Sequence, residues 1–342
     1  MSDGMNRILA LVLLLAAVLW LLPVGASAQE ERFLLTFAGD CTFGTDQPIY
    51  GQEGSFVQLV GEDTDYPFRN VERFFLEDDF TMVNLEGVLL DEGYSGKTGF
   101  AFRGPTDYVR ILSEHGVQAV TIANNHTMDF GIKGYESTKE TLTRAEVAFA
   151  EEGVLTVFTT DRGLKIGLLA ASLTVGMQDK YAKELLEKLE DQIALLREQG
   201  AELIVYALHW GGEGYYHPIA DQVTFAHQLI DAGVDILYGT HPHVLQSVEE
   251  YHGGIIYYSL GNFSFGGNHW PADCDSAVLQ QEVIRSGDGS VRLGQLHIIP
   301  VSITSTGTSQ NNFQPTPYEP GTEGYDRVLS KLDGSWPQVR TG

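Results

Sequence analysis

In the stretch AELIVYALHWGGEGYYHPIADQVTFAHQLIDAGVDILYGTHPH (201–243), one apolar run ends at His209 and a second ends at Thr240-His241-Pro242-His243. Between them lies a segment with helical spacing, from about Pro218 to Ala232. Apolar runs of this kind read as buried strands. Their alternation with helices indicates an α/β architecture with partly parallel sheets. In open α/β sheets, ligands collect outside the carboxyl ends of the strands. His209, His241 and His243 all stand at such ends. The last two flank Pro242, which fixes the chain, and in extended backbone residues two apart point to one side. Two neutral imidazoles so placed can grip one metal ion or two adjacent ones.

The same pattern continues outward. RFLLTFAGD (32–40), FTMVNLEG (80–87) and QAVTIANNH (118–126) read as strands that also run into polar residues. VLTVFTT (154–160) and LKIGLLAAS (164–172) add two more strand-like runs. DKYAKELLEKLEDQIALLREQG (179–200) is an amphipathic helix closing on Gly200. Helical spacing also follows Pro67 and Pro105. GIIYYSLGNF (254–263), AVLQQEVIR (277–285) and VRLGQLHIIPVSIT (291–304) come as consecutive strands, which predicts a mixed or second sheet at that end. From Ser305 the chain is polar and rich in Pro, Gly and Thr, so 305–342 is expected to be a peripheral tail. That leaves 33–304 as the folded domain.

The chain has 342 residues, 43% hydrophobic and 20% charged, which is ample for a sizeable core. The first residues differ in kind: Arg7, an apolar run from Ile8 to about Val24, then Ala26-Ser27-Ala28. This is the pattern of a secretory signal over residues 1–28, with cleavage after Ala28. The apolar run is also long enough for an uncleaved membrane anchor. In either case the remainder is expected to be secreted or otherwise extracytoplasmic. The net charge of −25 disfavours nucleic acid and anionic membrane surfaces as partners. A polyanionic substrate needs a local positive site to overcome that repulsion, and a bound metal is one way to provide it. Cys41 and Cys274 are the only cysteines, and both a disulfide and two free thiols are open.

Gathered together, the strand ends carry Asp40, Glu86, Asn125 with His126, His209, His241 and His243. Carboxylates, an amide oxygen and imidazoles are the mixed ligand set of Mn, Zn or Fe sites. Each has a plainer role when taken alone. Asp40 in GDCTFG would cap a turn, and a lone strand-end histidine such as His209 is ordinarily a satisfied core residue. Their recurrence on successive strand ends outweighs those single explanations. Six candidate ligands, namely Asp40, Glu86, Asn125, His209, His241 and His243, exceed what one open catalytic site needs, so two divalent ions are expected.

In order along the chain, FAGDCTFG, VNLEG, ANNHTMDFG, LHWGGE, GTHPHVLQ and YSLGNF closely resemble the bacterial capsule-synthesis family CapA, also called the poly-γ-glutamate biosynthesis protein family. The resemblance covers about Phe33 to Val301. That family is itself similar to calcineurin-like metallophosphoesterases, which implies a four-layer α/β/β/α sandwich and a binuclear metal centre. On that pattern Asp40 resembles the first aspartate, and Glu86 stands where a bridging carboxylate sits. Asn125 and His126 match an Asn-His pair, in which the amide binds metal and the histidine faces the scissile phosphate. His209 matches the lone strand-end histidine, and His241 and His243 match a final Gly-His-x-His, one for each metal. Two departures stand out. Thr42 replaces the histidine of the first motif, and Thr127 replaces the acid after the Asn-His pair. Asp129 is the candidate to replace that acid and orient His126.

The implied chemistry is hydrolysis of a phosphoester by metal-activated water, with His126 stabilising the transition state or protonating the leaving oxygen. Asn124, Glu213 and Asn262 stand beside the ligands as residues that contact substrate or brace the site. The family name implies a second role, a non-catalytic component of poly-γ-glutamate synthesis and export that grips polymer carboxylates beside membrane-bound synthase partners. A metal-dependent amide hydrolase acting on that polymer is a third.

Overall fold

The computed structural model describes residues 30–174 and 180–338. The signal-like segment 1–28 lies outside the described residues. β1 (Glu31–Thr42) opens the first sheet, and β2 (Thr45–Asp46) follows it closely. Two short helices, α1 (Phe56–Val60) and α2 (Glu72–Leu76), lead to β3 (Phe80–Leu85), parallel to β1. β4 (Val88–Leu89) and β5 (Phe102–Gly104) join β2 in a small separate sheet. α3 (Arg110–Ser113), β6 (Ala119–Thr121), α4 (Gly131–Arg144) and β7 (Ala148–Ala150) complete this half, with β6 parallel to both β3 and β7.

The chain then builds a second sheet from β8 (Thr156–Thr159), β9 (Lys165–Leu173), β10 (Leu203–Trp210), β11 (Ile236–Thr240), β12 (Val248–Tyr251) and β13 (Gly254–Tyr257). Helices α5 (Lys180–Glu198) and α6 (Ala220–Asp231) make its crossovers. The spatial order is β12-β13-β11-β10-β9-β8, and the four central strands are parallel. β14 (Asn262–Phe265) returns to the end of β1, followed by β15 (Asp275–Arg285), β16 (Val291–Ser302), β17 (Thr316–Pro317) and helix α7 (Glu323–Leu332). The first sheet thus reads β17-β16-β15-β1-β3-β6-β7.

The apolar runs explain the layering. In β10, Leu203, Val205 and Ala207 face a core shared with Leu35, Phe37 and Met82 of the first sheet. Ile204, Tyr206, Leu208 and Trp210 face the other way, onto Leu189 and Leu196 of α5 and Phe225 and Leu229 of α6. A strand covered on both faces needs no polar alternation. Phe37 lies 5.5 Å from the Tyr238 ring and 5.6 Å from Tyr257, bridging the two sheets. Val83 and Val120 on the outer face of the first sheet pack with Phe75, Ile111 and Leu142. The result is a four-layer α/β/β/α sandwich, as the resemblance implied.

Three expectations differ from the fold. GIIYYSLGNF is not one strand: β13 belongs to the second sheet and β14 to the first, and the chain crosses between them through Gly261 at φ 64°. Here β1 passes so close that a Cβ on Gly39 would sit 2.0 Å from the Gly261 carbonyl oxygen, so only glycine fits. The helix expected from Pro67 shrinks to the single turn of α2, whereas the one expected from Pro105 forms, as a 3-10 turn over Thr106–Val109 that runs straight into α3. The segment from Ser305 is no peripheral tail, because β17 pairs with β16, and Phe313, Val328 and Leu332 are buried. Its polar composition hides a few apolar anchors spaced too far apart to form a run.

Candidate metal centre

The two sheets stack face to face, with the carboxyl ends of β1, β3, β6, β10 and β11 converging. Asp40 lies in β1 and Glu86 directly follows β3; both are fully buried. Asn125 and His126 come from the loop after β6, His209 from β10, and His241 and His243 from the turn after β11. Every residue expected to be a ligand reaches this one place. Glu86 Oε1 lies 3.7 Å from His126 Nε2, 3.8 Å from His209 Nε2 and 3.8 Å from His243 Nε2. Asp40 Oδ2 lies 3.2 Å from His243 Nδ1, and its other oxygen accepts from Asn84 Nδ2 at 2.8 Å. Asn125 Oδ1 and His209 Nε2 are 2.7 Å apart.

The surrounding groups fix these side chains. His209 Nδ1 meets Thr240 Oγ1 at 2.9 Å, and His243 Nδ1 meets Asn262 Oδ1 at 2.9 Å. His126 Nδ1 lies 2.8 Å from Asp129 Oδ2, while the Phe102 ring packs 4.4 Å from the imidazole. Asp129 in turn accepts from the Phe102 backbone N–H at 2.7 Å and from Lys97 Nζ. Asn124 braces the loop, donating to Asn84 Oδ1 and the Leu85 carbonyl and accepting from the His126 N–H. Glu213 is exposed, on the loop after β10. Its carboxylate lies within 4.8 Å of ligand nitrogens of His241 and His243.

The turn itself departs from the extended geometry expected of it. β11 ends at Thr240, and His241 and His243 take φ of 97° and 56°, in the left-handed region that non-glycine residues avoid. The histidines therefore converge through a tight turn about Pro242 and not through strand alternation. Such strain persists only where the surroundings over-determine it, and it clusters at functional sites. Thr42 supplies no imidazole; its hydroxyl donates to the Glu86 carbonyl at 2.8 Å and pins the backbone of that carboxylate. Cys41 is buried and Cys274 half-buried, and both are free thiols, so no disulfide closes the rim. Lys97 was not expected at the site. It lies on an exposed loop between the VNLEG and ANNHTMDFG motifs, with no spacing to announce it.

Burial dominates the electrostatics. It raises the Glu86 carboxyl well above its ordinary range, against the pull of His243. Burial, reinforced by His243, lowers His241 to about 4, and burial with His241 and His243 nearby holds His209 low. Burial opposes the charged form of His243 too, but Glu86 and Asp40 outweigh it and raise that ring to about 10. Both oxygens of Glu86 and Nδ1 of His241 are buried with no hydrogen-bond partner. Among the described residues, two ligand groups meet the spacing of an ion: Asp40, Glu86 and His243, and Glu213, His241 and His243. Unpaired buried acceptors among imidazoles are a donor set that a divalent cation fits.

Residues 34–267 match the family described as "Bacterial capsule synthesis protein PGA_cap". The chain belongs to that family. A relative from Bacillus anthracis, "Capsule biosynthesis protein CapA", is 29% identical over 87% of this chain and 76% of its own length. "PGA biosynthesis protein CapA" of Bacillus subtilis is 28% identical over 73% of this chain and 69% of its own. Among solved structures, the Haemophilus influenzae NAD nucleotidase aligns over 90% of this chain and 63% of its own, at 12% identity and a TM-score of 0.43. The PGA_cap match ends at 267, just beyond Asn262, so it spans all the strand-end ligands.

Proposed function

We propose that this PGA_cap protein is an extracytoplasmic, metal-dependent phosphoester hydrolase of capsule or poly-γ-glutamate metabolism. The observation that carries this reading is Glu86, a fully buried carboxylate with two unpartnered oxygens facing three imidazole nitrogens. An isolated carboxylate in that setting costs several kcal/mol, roughly, unless a cation sits beside it. Asp40, Glu86, Asn125, His209, His241 and His243 would hold one or two divalent ions of Mn, Zn or Fe. When bound, such ions supply a hydroxide at neutral pH and neutralise developing charge on phosphorus.

The chain's own residues set the remaining steps. His126 presents Nε2 to the site because Asp129 holds Nδ1, so a proton carried at Nε2 is aimed at a departing oxygen. Asp129 cannot swing away, since Lys97 and the Phe102 N–H grip it as well. Asn124 and Asn262 hold the loop and His243 in place. Glu213, at the open side, faces arriving substrate.

The purified chain should bind Mn or Zn and hydrolyse an aryl phosphoester in its presence. His126→Ala should lower kcat about 100-fold or more with metal content unchanged, whereas His241→Ala should lower metal content as well. The names of the Bacillus relatives support a competing role, in which the centre grips poly-γ-glutamate without cleaving it. Retained polymer binding with no turnover on any metal decides for that role. A chain that takes up no metal and gains no stability from it would falsify both.

A further inference from the structure

Beside the ligand cluster opens a cavity of about 410 Å³ that reaches His126, His243 and Glu213. Its rim is aromatic. Phe100 and Trp270 line it and are each 65% exposed, two large apolar side chains presented together on one rim. The Phe100 ring stacks on Phe102 at 6.0 Å and 20°, and Phe102 lies against His126. Phe265 closes the path, 5.7 Å from Phe102 and 5.0 Å from His243. An unbroken aromatic wall thus runs from the ligand nitrogens to solvent.

Away from His243 at its inner end, the charges on this wall are one-sided. Among the described residues, no lysine or arginine lines the cavity; its acids are Glu213 and Asp273. The lysines nearby are already paired, Lys97 with Asp129 and Lys331 with Asp273 and Asp275. An extended polyanion would lay its further carboxylates along acids and bare rings, in the field of a chain of net charge −25.

We infer that the centre takes a ligand with a single anionic group joined to a flat apolar group. The anion sits at the ligand cluster, the apolar part lies on Phe100, Phe102 and Trp270, and runs of carboxylates are rejected. This rests on the metal centre proposed above. Non-hydrolysable phosphonates test it by calorimetry on the full chain loaded with Mn. Naphthylphosphonate should bind at least about tenfold tighter than methylphosphonate, and γ-linked hexaglutamate weaker than either. The double variant Phe100→Ala/Trp270→Ala should erase the naphthyl advantage and leave methylphosphonate affinity unchanged. Equal binding of the two phosphonates, no effect of the double variant, or tighter binding of hexaglutamate overturns the inference. Phosphonate selectivity without turnover of any phosphoester sinks only the hydrolase reading, and failure to load Mn sinks both.

Discussion

Glu86 stands against the ordinary rule that a buried carboxylate is paired. Its Oε1 finds imidazoles at 3.7–3.8 Å, beyond hydrogen-bond distance, and neither oxygen has a hydrogen-bond partner. That is unfavourable in the metal-free fold and, on the metal-centre proposal, useful once a cation arrives, the usual exchange of stability for function. Glu86→Gln keeps the shape and removes the charge. The metal-free variant should therefore be more stable than the parent, by about 1–3 kcal/mol in urea denaturation, while losing the stabilisation that Mn gives. A variant less stable than the parent without metal would mean that Glu86 is held as a structural ion pair. At this scale the sequence was informative wherever a polar residue closed an apolar run, as at Asp40, Glu86 and His209. It was silent on Lys97, whose partner Asp129 is brought near only by the fold, and on the positive φ of His241 and His243.

Among the elements, the strands were legible because burial on both faces leaves long apolar runs. Helix α4 was not. Its buried face is Gly134, Thr138, Thr141 and Leu142, with only one large apolar residue to mark a period. Thr138 instead earns its place by donating to the Gly134 carbonyl and accepting from the Leu89 N–H. Helix α7 was hidden in the same way, and charge pins it down. Asp275 of β15 accepts from Arg327 Nε at 2.6 Å, Arg327 Nη2 at 2.7 Å and Lys331 Nζ at 2.6 Å. Burial works against the charged carboxylate, yet these cations outweigh it and hold its pKa below the usual value. A depressed carboxyl contributes stability above the unfolded pKa and loses it as pH falls through the folded one. Asp275→Ala leaves Lys331 buried with Asp273 alone and should cost about 3–5 kcal/mol at pH 7. The difference from the parent should narrow below pH 4, and a pH-independent difference would assign the loss to packing.

For the whole molecule, the centre sits where two sheets and the β13–β14 crossing meet, so its protonation acts on global stability. His209 and His241 are held neutral by burial, and folding therefore becomes less favourable as pH falls below the ordinary histidine value near 6.5. His243 has the opposite sign. Its raised pKa contributes stability in full below 6.5 that is lost as pH climbs through about 10. Glu86, raised by burial, loses stability as pH rises from its ordinary value of 4.5, which offsets part of the histidine gain below 6.5 and adds to the loss above it. Metal-free protein should thus melt highest near pH 6–7 and lower on both sides. A divalent ion needs neutral imidazoles and charged carboxylates, so its gain in Tm should be largest above pH 7 and vanish by about pH 5 as protons displace it. Thermal melts with Mn and with chelator across pH 4–10 read both curves. A metal gain that stayed constant across that range would place the ion away from these histidines.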